Sequence, residues 1–209
     1  SLTIGLYASL IVVFAGIGFG VMCALNQNKF IDRFFMVLST LGATIPSFVL
    51  ATGFLFIFSK TLGWVPSFGV DTAAGYIGPI VVIGAFSLSF ITRLTRTSLL
   101  EVQQQDYIRT ARSKGISEFK VTYKHALRNA LLPVITYVGP MVASIVTGSF
   151  VIEKVFGIPG VGSLFTNSII NRDYPLIMGI TVFFAILLII SVLIVDFIYV
   201  LVDPRIKLD

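Results

Sequence analysis

Charge is what this sequence has least of. Only 12% of its 209 residues are Asp, Glu, Lys or Arg, against roughly a quarter in a soluble domain. Hydrophobic residues make up 56% and the mean hydropathy is +0.96, so the chain cannot clothe a water-facing surface and reads as an integral membrane protein. The single cysteine, Cys23, excludes an intrachain disulfide framework, and without a CxxC pair or a His/Cys cluster nothing points to a metal site. Cys23 reads as an apolar packing residue. His125 is the only histidine and has no partner constellation for a nucleophile or a metal, so it reads as structural. A GxxxxGK[ST] phosphate loop is missing too, and with it the backbone cradle for nucleotide phosphates. The chain opens with Ser1 and runs straight into apolar sequence, without the charged start and cleavage site of a signal peptide.

What is present is a set of long apolar runs. Runs of about 20 such residues mark membrane spans, and five are found, at Leu2 to Leu25, Phe34 to Phe58, Tyr76 to Ile91, Val134 to Ile152 and Tyr174 to Val202. Arg93 and Arg96 cut into the end of the third, although Leu94, Leu99 and Leu100 can extend that helix past the membrane surface. None alternates as a barrel strand does, and lipid-embedded backbone must satisfy its own hydrogen bonds, so all five are expected to be helices. The fold class is all-α, a polytopic helix bundle forming one transmembrane domain over residues 1–209. Placing residues 99–133 on the inner side collects twelve of the fifteen Lys and Arg there and leaves Lys60, Lys154 and Arg172 outside. That split orients the chain by the positive-inside rule, with the C-terminus cytoplasmic. Ser1 then lies outside, and one further helix ahead of it would return a native N-terminus to the inside, so six spans are expected in the full-length protein.

Several features mark the spans individually. Gly5, Gly16, Gly18 and Gly20 in the first allow close helix approach in lipid. NQNKFIDR is a tight inner turn. In LGATIPSFVLATG, Pro46 removes one ladder hydrogen bond and is expected to kink the second helix, freeing a carbonyl near Gly42. Pro46 and Ser47 therefore qualify either as part of a translocation path or as a static kink that fills a packing gap. Trp64 and Tyr76 suit the outer interface. After the fourth span, Glu153 to Pro175 is punctuated by glycine and proline, and Ser163 to Ile170 is expected to form a short helix. Asp196 is the one ionisable residue well inside the last span and is a candidate for the path, with an interfacial hydrogen bond as the other reading.

Residues 99–133, LLEVQQQDYIRTARSKGISEFKVTYKHALRNALLP, are the polar island among these runs. Asp106 is expected to cap a helix over Tyr107 to Lys114, Gly115 to end it, and Ser117 to cap a second helix with Glu118 in its first turn. Phe119, Tyr123, Ala126, Leu127, Ala130 and Leu131 form an apolar stripe on the second, with Lys120, Lys124 and Arg128 on another face. A first helix of eight residues is marginal in water, so something must pack against it. Anionic lipid, solvent around a plain connector, or a soluble partner all remain open on these residues alone.

The wording of this stretch resembles a known family. ARSKG, a gap, then HALRNALLP is similar to the cytoplasmic EAA loop of ATP-binding-cassette importer permeases. In its pattern EAA, three residues, Gly, nine residues, Ile-x-Leu-Pro, the EAA position holds Arg109-Thr110-Ala111, the glycine is Gly115, His125 stands for isoleucine and Leu127-Arg128 for Leu-Pro. Only Ala111, Gly115 and Leu127 match outright. DYIRTARSKG…HALRNALLPVIT, VIEKVFGIPGVGSLFTNSIINRDYP and VDPRIK resemble the peptide and nickel branch, specifically its B-type subunits of dipeptide and oligopeptide systems. The likeness runs from about Leu2 to the C-terminus.

The resemblance implies a type I importer permease, a transport subunit and not an enzyme, in a bacterial or archaeal cytoplasmic membrane. The loop's helices would be coupling helices seated in separate ATPase subunits, with Tyr107, Arg109, Ala111, Arg112, Gly115 and Phe119 as docking residues. Two such ATPases would bind ATP and Mg, so this chain is expected to hold no cofactor. A second homologous permease, an extracellular substrate-binding protein and membrane lipid complete the expected partners, with no nucleic acid among them. Oligopeptides or dipeptides are the expected cargo, with nickel, glutathione or another small solute as the rival within the class. A secondary transporter would call for several buried charges along the spans, and an intramembrane enzyme for clustered reactive groups. Asp196 alone meets neither requirement.

Overall fold

The computed structural model describes residues 2–146 and 149–202, apart from the side chains of 195, 196 and 198–202 in the last helix. Among the described residues every regular element is helical. Helix α1, Leu2–Leu25, is apolar all round. At 1.5 Å per residue its 24 residues reach about 36 Å, enough for a hydrocarbon core of about 30 Å. It packs most extensively along a helix of 27 residues, Ile77–Gln103, and the glycines explain how closely. A Cβ on Gly16 would lie 2.7 Å from Ile91 Cγ2, and one on Gly20 would lie 2.5 Å from Thr95 Cβ. Larger residues there would push the two backbones apart.

Between these two the chain turns into α2, Phe30–Thr44, and then leaves helical conformation at Ile45 and Pro46. Ile45 has φ −74° and ψ 126°, the extended conformation that proline sterics impose on the preceding residue. Helix α3, Ser47–Phe54, starts again and passes into a π-helical segment, Leu55–Thr61, so that the two arms meet at 110°. The expected kink is thus a full break. A 3₁₀ turn, Ala73–Tyr76, leads into the helix Ile77–Gln103, here α4. It runs twelve residues beyond Ile91, as Leu94, Leu99 and Leu100 suggested.

The polar stretch folds as α5, Asp106–Ser113, then α6, Glu118–Lys120, a π-helical segment Val121–Ala126, and α7, Leu127–Ala130. Helix α8, Leu132–Val146, follows at 51° to the helical stretch Glu118–Ala130 and contains Pro140. The fourth span was expected to end at Ile152, but Ile152 belongs to a separate short helix, α9, Phe150–Phe156. Gly157, at φ 63°, closes α9 in the left-handed region that glycine tolerates best. Helices α10, Val161–Ile170, and α11, Tyr174–Val202, are the last of the described elements.

Three of the described helices are long and apolar enough to cross a membrane alone, and five crossings result only if each bent pair counts as one. Helix α11 shows nearly its whole apolar surface and packs chiefly on α8. Buried clusters succeed one another along the bundle. Ile4, Ala51, Val82, Ile152 and Phe156 close one end, Ala8, Val12, Ile91, Val134 and Met141 fill the middle, and Val21, Ala24, Leu99, Ile108 and Ala126 form the loop end.

Candidate docking site and membrane pathway

Helix α5 turns Ile108 and Ala111 inward, onto Val21, Ala24 and Leu99 and onto Val121, Ala126 and Ala130 of the following helical stretch. That burial answers the marginal stability of eight residues in water. The cap differs from expectation. Gln105, in extended conformation, is the N-cap and Asp106 the first helical residue, with no side-chain cap bond. Asp106 instead stands 3.6 Å from Arg109 in a solvent-exposed pair, which contributes little. Gly115 follows the last turn at φ 74°, its N–H donating to the Arg112 carbonyl at 2.9 Å. A Cβ there would meet nothing within 4 Å, so the backbone angle, and not lack of room, calls for glycine.

Ser117 occupies the next N-cap position, although its hydroxyl makes no cap bond. The turn is closed by Arg112, whose Nε and Nη2 donate to the Glu118 carboxylate at 3.0 and 3.3 Å while Nη1 reaches the Gln103 carbonyl at 3.5 Å. One guanidinium therefore joins the ends of α4, α5 and α6. Tyr107 is anchored from the far side by Asn129, whose Nδ2 donates to the phenol oxygen at 2.7 Å.

The apolar stripe of the second helix is split. Ala126 and Ala130 are buried as expected, but the inward positions ahead of them are Val121 and Thr122. Val121 and Ala126 are five apart and share the inner side because the π segment takes more residues per turn than an α-helix. The same wide turn leaves Phe119 71% and Tyr123 46% exposed, their rings 4.5 Å apart between centroids.

The docking residues named from sequence accordingly fall into two groups. Tyr107, Arg109, Gly115 and Phe119 face outward. Ala111, 7% exposed, belongs to the buried cluster, and Arg112 holds the turn. Of the path candidates, Pro46 and Ser47 line a cavity of about 320 Å³ at the helix break with Gly42, Thr44, Val82 and Phe86. Asp196 falls within α11, but its side chain lies outside the described residues.

Two buried acids went unnoticed in the sequence as structural groups. Asp32, 2% exposed, accepts from Arg96 Nε at 2.6 Å, from Arg96 Nη2 at 2.7 Å and from the Asn28 N–H at 2.8 Å. Nearby, Arg93 Nη2 donates to Thr40 Oγ1 at 2.7 Å. Both arginines thus tie α4 to α2. A signal existed: Asp32 is the one acid in the short inner turn, and two arginines lie at the exit of the third span. Glu153, also 2% exposed, accepts from the Ser163 N–H at 2.9 Å, and a Cβ on Gly160 would sit 2.5 Å from its carboxylate.

The molecule is a helix bundle with an ordered polar loop at one end and a helix broken at Pro46. The family model described as binding-protein-dependent transport system inner membrane component matches residues 16–208. The chain belongs to that family. Among its relatives, the dipeptide transport system permease protein DppB of Bacillus subtilis is 50% identical, over 100% of this chain and 68% of its own length. The oligopeptide transport system permease protein OppB of Haemophilus influenzae is 44% identical, over 99% and 68%. A solved chain of the MetNI methionine ABC transporter, in an inward-facing crystal form, superposes with a TM-score of 0.76 at 19% identity, over 97% of this chain and 92% of that one. The fold is that of the type I importer permeases, and the family member described here is a multi-pass membrane subunit.

Proposed function

We propose that this chain is one of two permease subunits through which a bacterial or archaeal cell imports dipeptides or oligopeptides, driven by two separate ATPase subunits. ATP and Mg are bound by those ATPases, and an extracellular binding protein delivers the peptide on the side of Lys60, Lys154 and Arg172. The loop 99–133 is cytoplasmic and docks on the ATPase. Tyr107, Arg109, Gly115 and Phe119 form its contact face, while Ala111 and Arg112 set its shape from behind. Closure of the ATPase dimer pushes that face, and the path alternates between outward and inward access, with Pro46 and Ser47 at the break and Asp196 as candidate lining.

The observation that carries this reading is the loop's construction. Its inner side is packed into the cluster shared with α1 and α4, so force on its outer side reaches two spans without a flexible joint. The names of the relatives support peptide as the cargo. The test is gentle affinity purification of the full-length subunit with mass spectrometry of what accompanies it. Two kinds of partner, an ATPase and a homologous permease, are expected. Recovery of the subunit alone would contradict the proposal.

A further inference from the structure

Two arginines leave the third span together, and only one is neutralised. Arg96 is paired with Asp32. Arg93, partly buried, donates from Nη2 to Thr40 Oγ1 at 2.7 Å, and among the described residues no carboxylate forms an ion pair with it. A guanidinium keeps its charge wherever it sits. From Ile77, the start of α4, to Arg93 is about 24 Å of helix, short of a hydrocarbon core of about 30 Å.

The direction of the side chain is informative. Asp32 meets Arg96, and Gly42 packs against Ala85 and Ser89, so α2 and α4 run antiparallel. That register sets Thr40 roughly 3–6 Å nearer the break at Pro46 than Arg93. An arginine reaching for the nearer membrane surface would turn toward the loop end. Arg93 instead reaches toward the break. By spacing, Phe86, Phe90, Arg93 and Thr97 share one face of α4, and both rings are exposed, at 56% and 41%. Thr40, Thr44 and Ser47 are exposed on the adjoining helices, and Thr44, Ser47 and Phe86 line the cavity at the break. A face that carries a guanidinium and several hydroxyls suits a wet path and not lipid tails.

We infer that Arg93 receives the C-terminal carboxylate of a peptide passing the break, with Thr40 holding the guanidinium in place. This rests on the chain being a peptide-importing permease. A guanidinium offers paired N–H donors that fit a carboxylate, and within this chain only Nη2 is engaged among the described residues. Every unmodified peptide ends in a carboxylate whatever its side chains, so one arginine serves cargo of many sequences. A phospholipid phosphate would suit the same donors, but it lies at the membrane surface, and the side chain points away from the nearer one.

The test uses the assembled transporter, with full-length permeases, ATPases and binding protein, in liposomes. Initial uptake is measured for trialanine and for trialanine amide, each supplied at the concentration that half-saturates the binding protein. Arg93→Gln is expected to slow trialanine at least about tenfold and to leave the amide near its wild-type rate. Arg93→Lys, which keeps the charge, is expected to recover part of the loss. Thr40→Val removes only the hydroxyl and is expected to slow trialanine alone, by less. These two variants carry the test if Arg93→Gln fails to assemble. Equal slowing of both peptides makes Arg93 structural, bonded within this chain or to an acid of the second permease, and overturns the inference. Wild-type uptake of both overturns it as well. A loss seen in liposomes containing phosphatidylglycerol but not in phosphatidylcholine alone assigns the arginine to lipid, with the same result. A wild type that takes up neither peptide removes the peptide-import reading itself, and the role of Arg93 with it.

Discussion

The two ends of the bundle each bury one carboxylate, Asp32 at the loop end and Glu153 at the other, and they hold it in different ways. Asp32 is gripped by the guanidinium of Arg96, 64 positions away, so the pair joins two helices that nothing local would bring together. Glu153 bonds a backbone N–H only ten positions on, in a turn whose glycines leave room for it. The carboxylate at the loop end is held by a side chain distant in sequence, and the one at the other end accepts a backbone bond from its own segment. The first arrangement ties α2 to α4 close to the cluster that holds the loop. The second closes the compact turn between α9 and α10.

The largest expected effect breaks the Asp32–Arg96 pair. Asp32→Asn leaves Arg96 facing a neutral amide and is expected to cost about 3 kcal/mol, the low end for breaking a buried pair because the arginine is partly open to solvent. Denaturant midpoints of the purified protein measure it. Adding Arg96→Gln should restore most of the loss, and an unchanged midpoint in the single variant would remove the pair from the account.

At the local end, Gly160→Ala is expected to cost roughly 1–3 kcal/mol through overpacking against the Glu153 carboxylate. Faster amide exchange confined to residues 157–164 would show that the hairpin is a separate unit. Exchange spreading to α1 or α4 would show that the two ends are not different in kind.

Smaller still is Gly115→Val. Nothing near a new Cβ obstructs it, so the cost is the left-handed backbone, about 1–2 kcal/mol, and Gly115→Asn should recover part of it. Transport and ATPase stimulation are expected to fall in the valine variant while membrane insertion persists. Tyr107→Phe removes the acceptor for Asn129 and is expected to cost about 0.5 kcal/mol at this exposed site, visible as a slight rise in amide exchange around Asn129.

Much of this was legible because lipid allows few structures. The apolar runs place α1, α4 and α11 closely, and the bounds of α11 match residue for residue. Gly115 was readable because a polar helix followed by glycine has one common ending. Pro46 was readable as a disturbance but not as a 110° break, since how far a helix opens depends on what stands beside the gap, here Val82 and Phe86 of α4, which line the cavity at the break. The N-cap position expected at Asp106 lies at Gln105 because α5 begins one residue earlier, and no side-chain bond caps it. The exposure of Phe119 and Tyr123 was hidden because a π segment changes the period by which a helical face is read. The Asp32–Arg96 pair was hidden because sequence separation says nothing of which helices adjoin.

ATPase docking on the face around Tyr107 to Phe119 is the proposal on which the rest depends. It is tested most directly by hydrogen–deuterium exchange of the full-length permease pair, alone and after its ATPase subunits are added. New protection is expected over residues 106–124, deepening when ATP closes the ATPase dimer, with Ile108 and Ala111 slow throughout. Unchanged exchange over 106–124 in a complex that demonstrably holds its ATPases would contradict it.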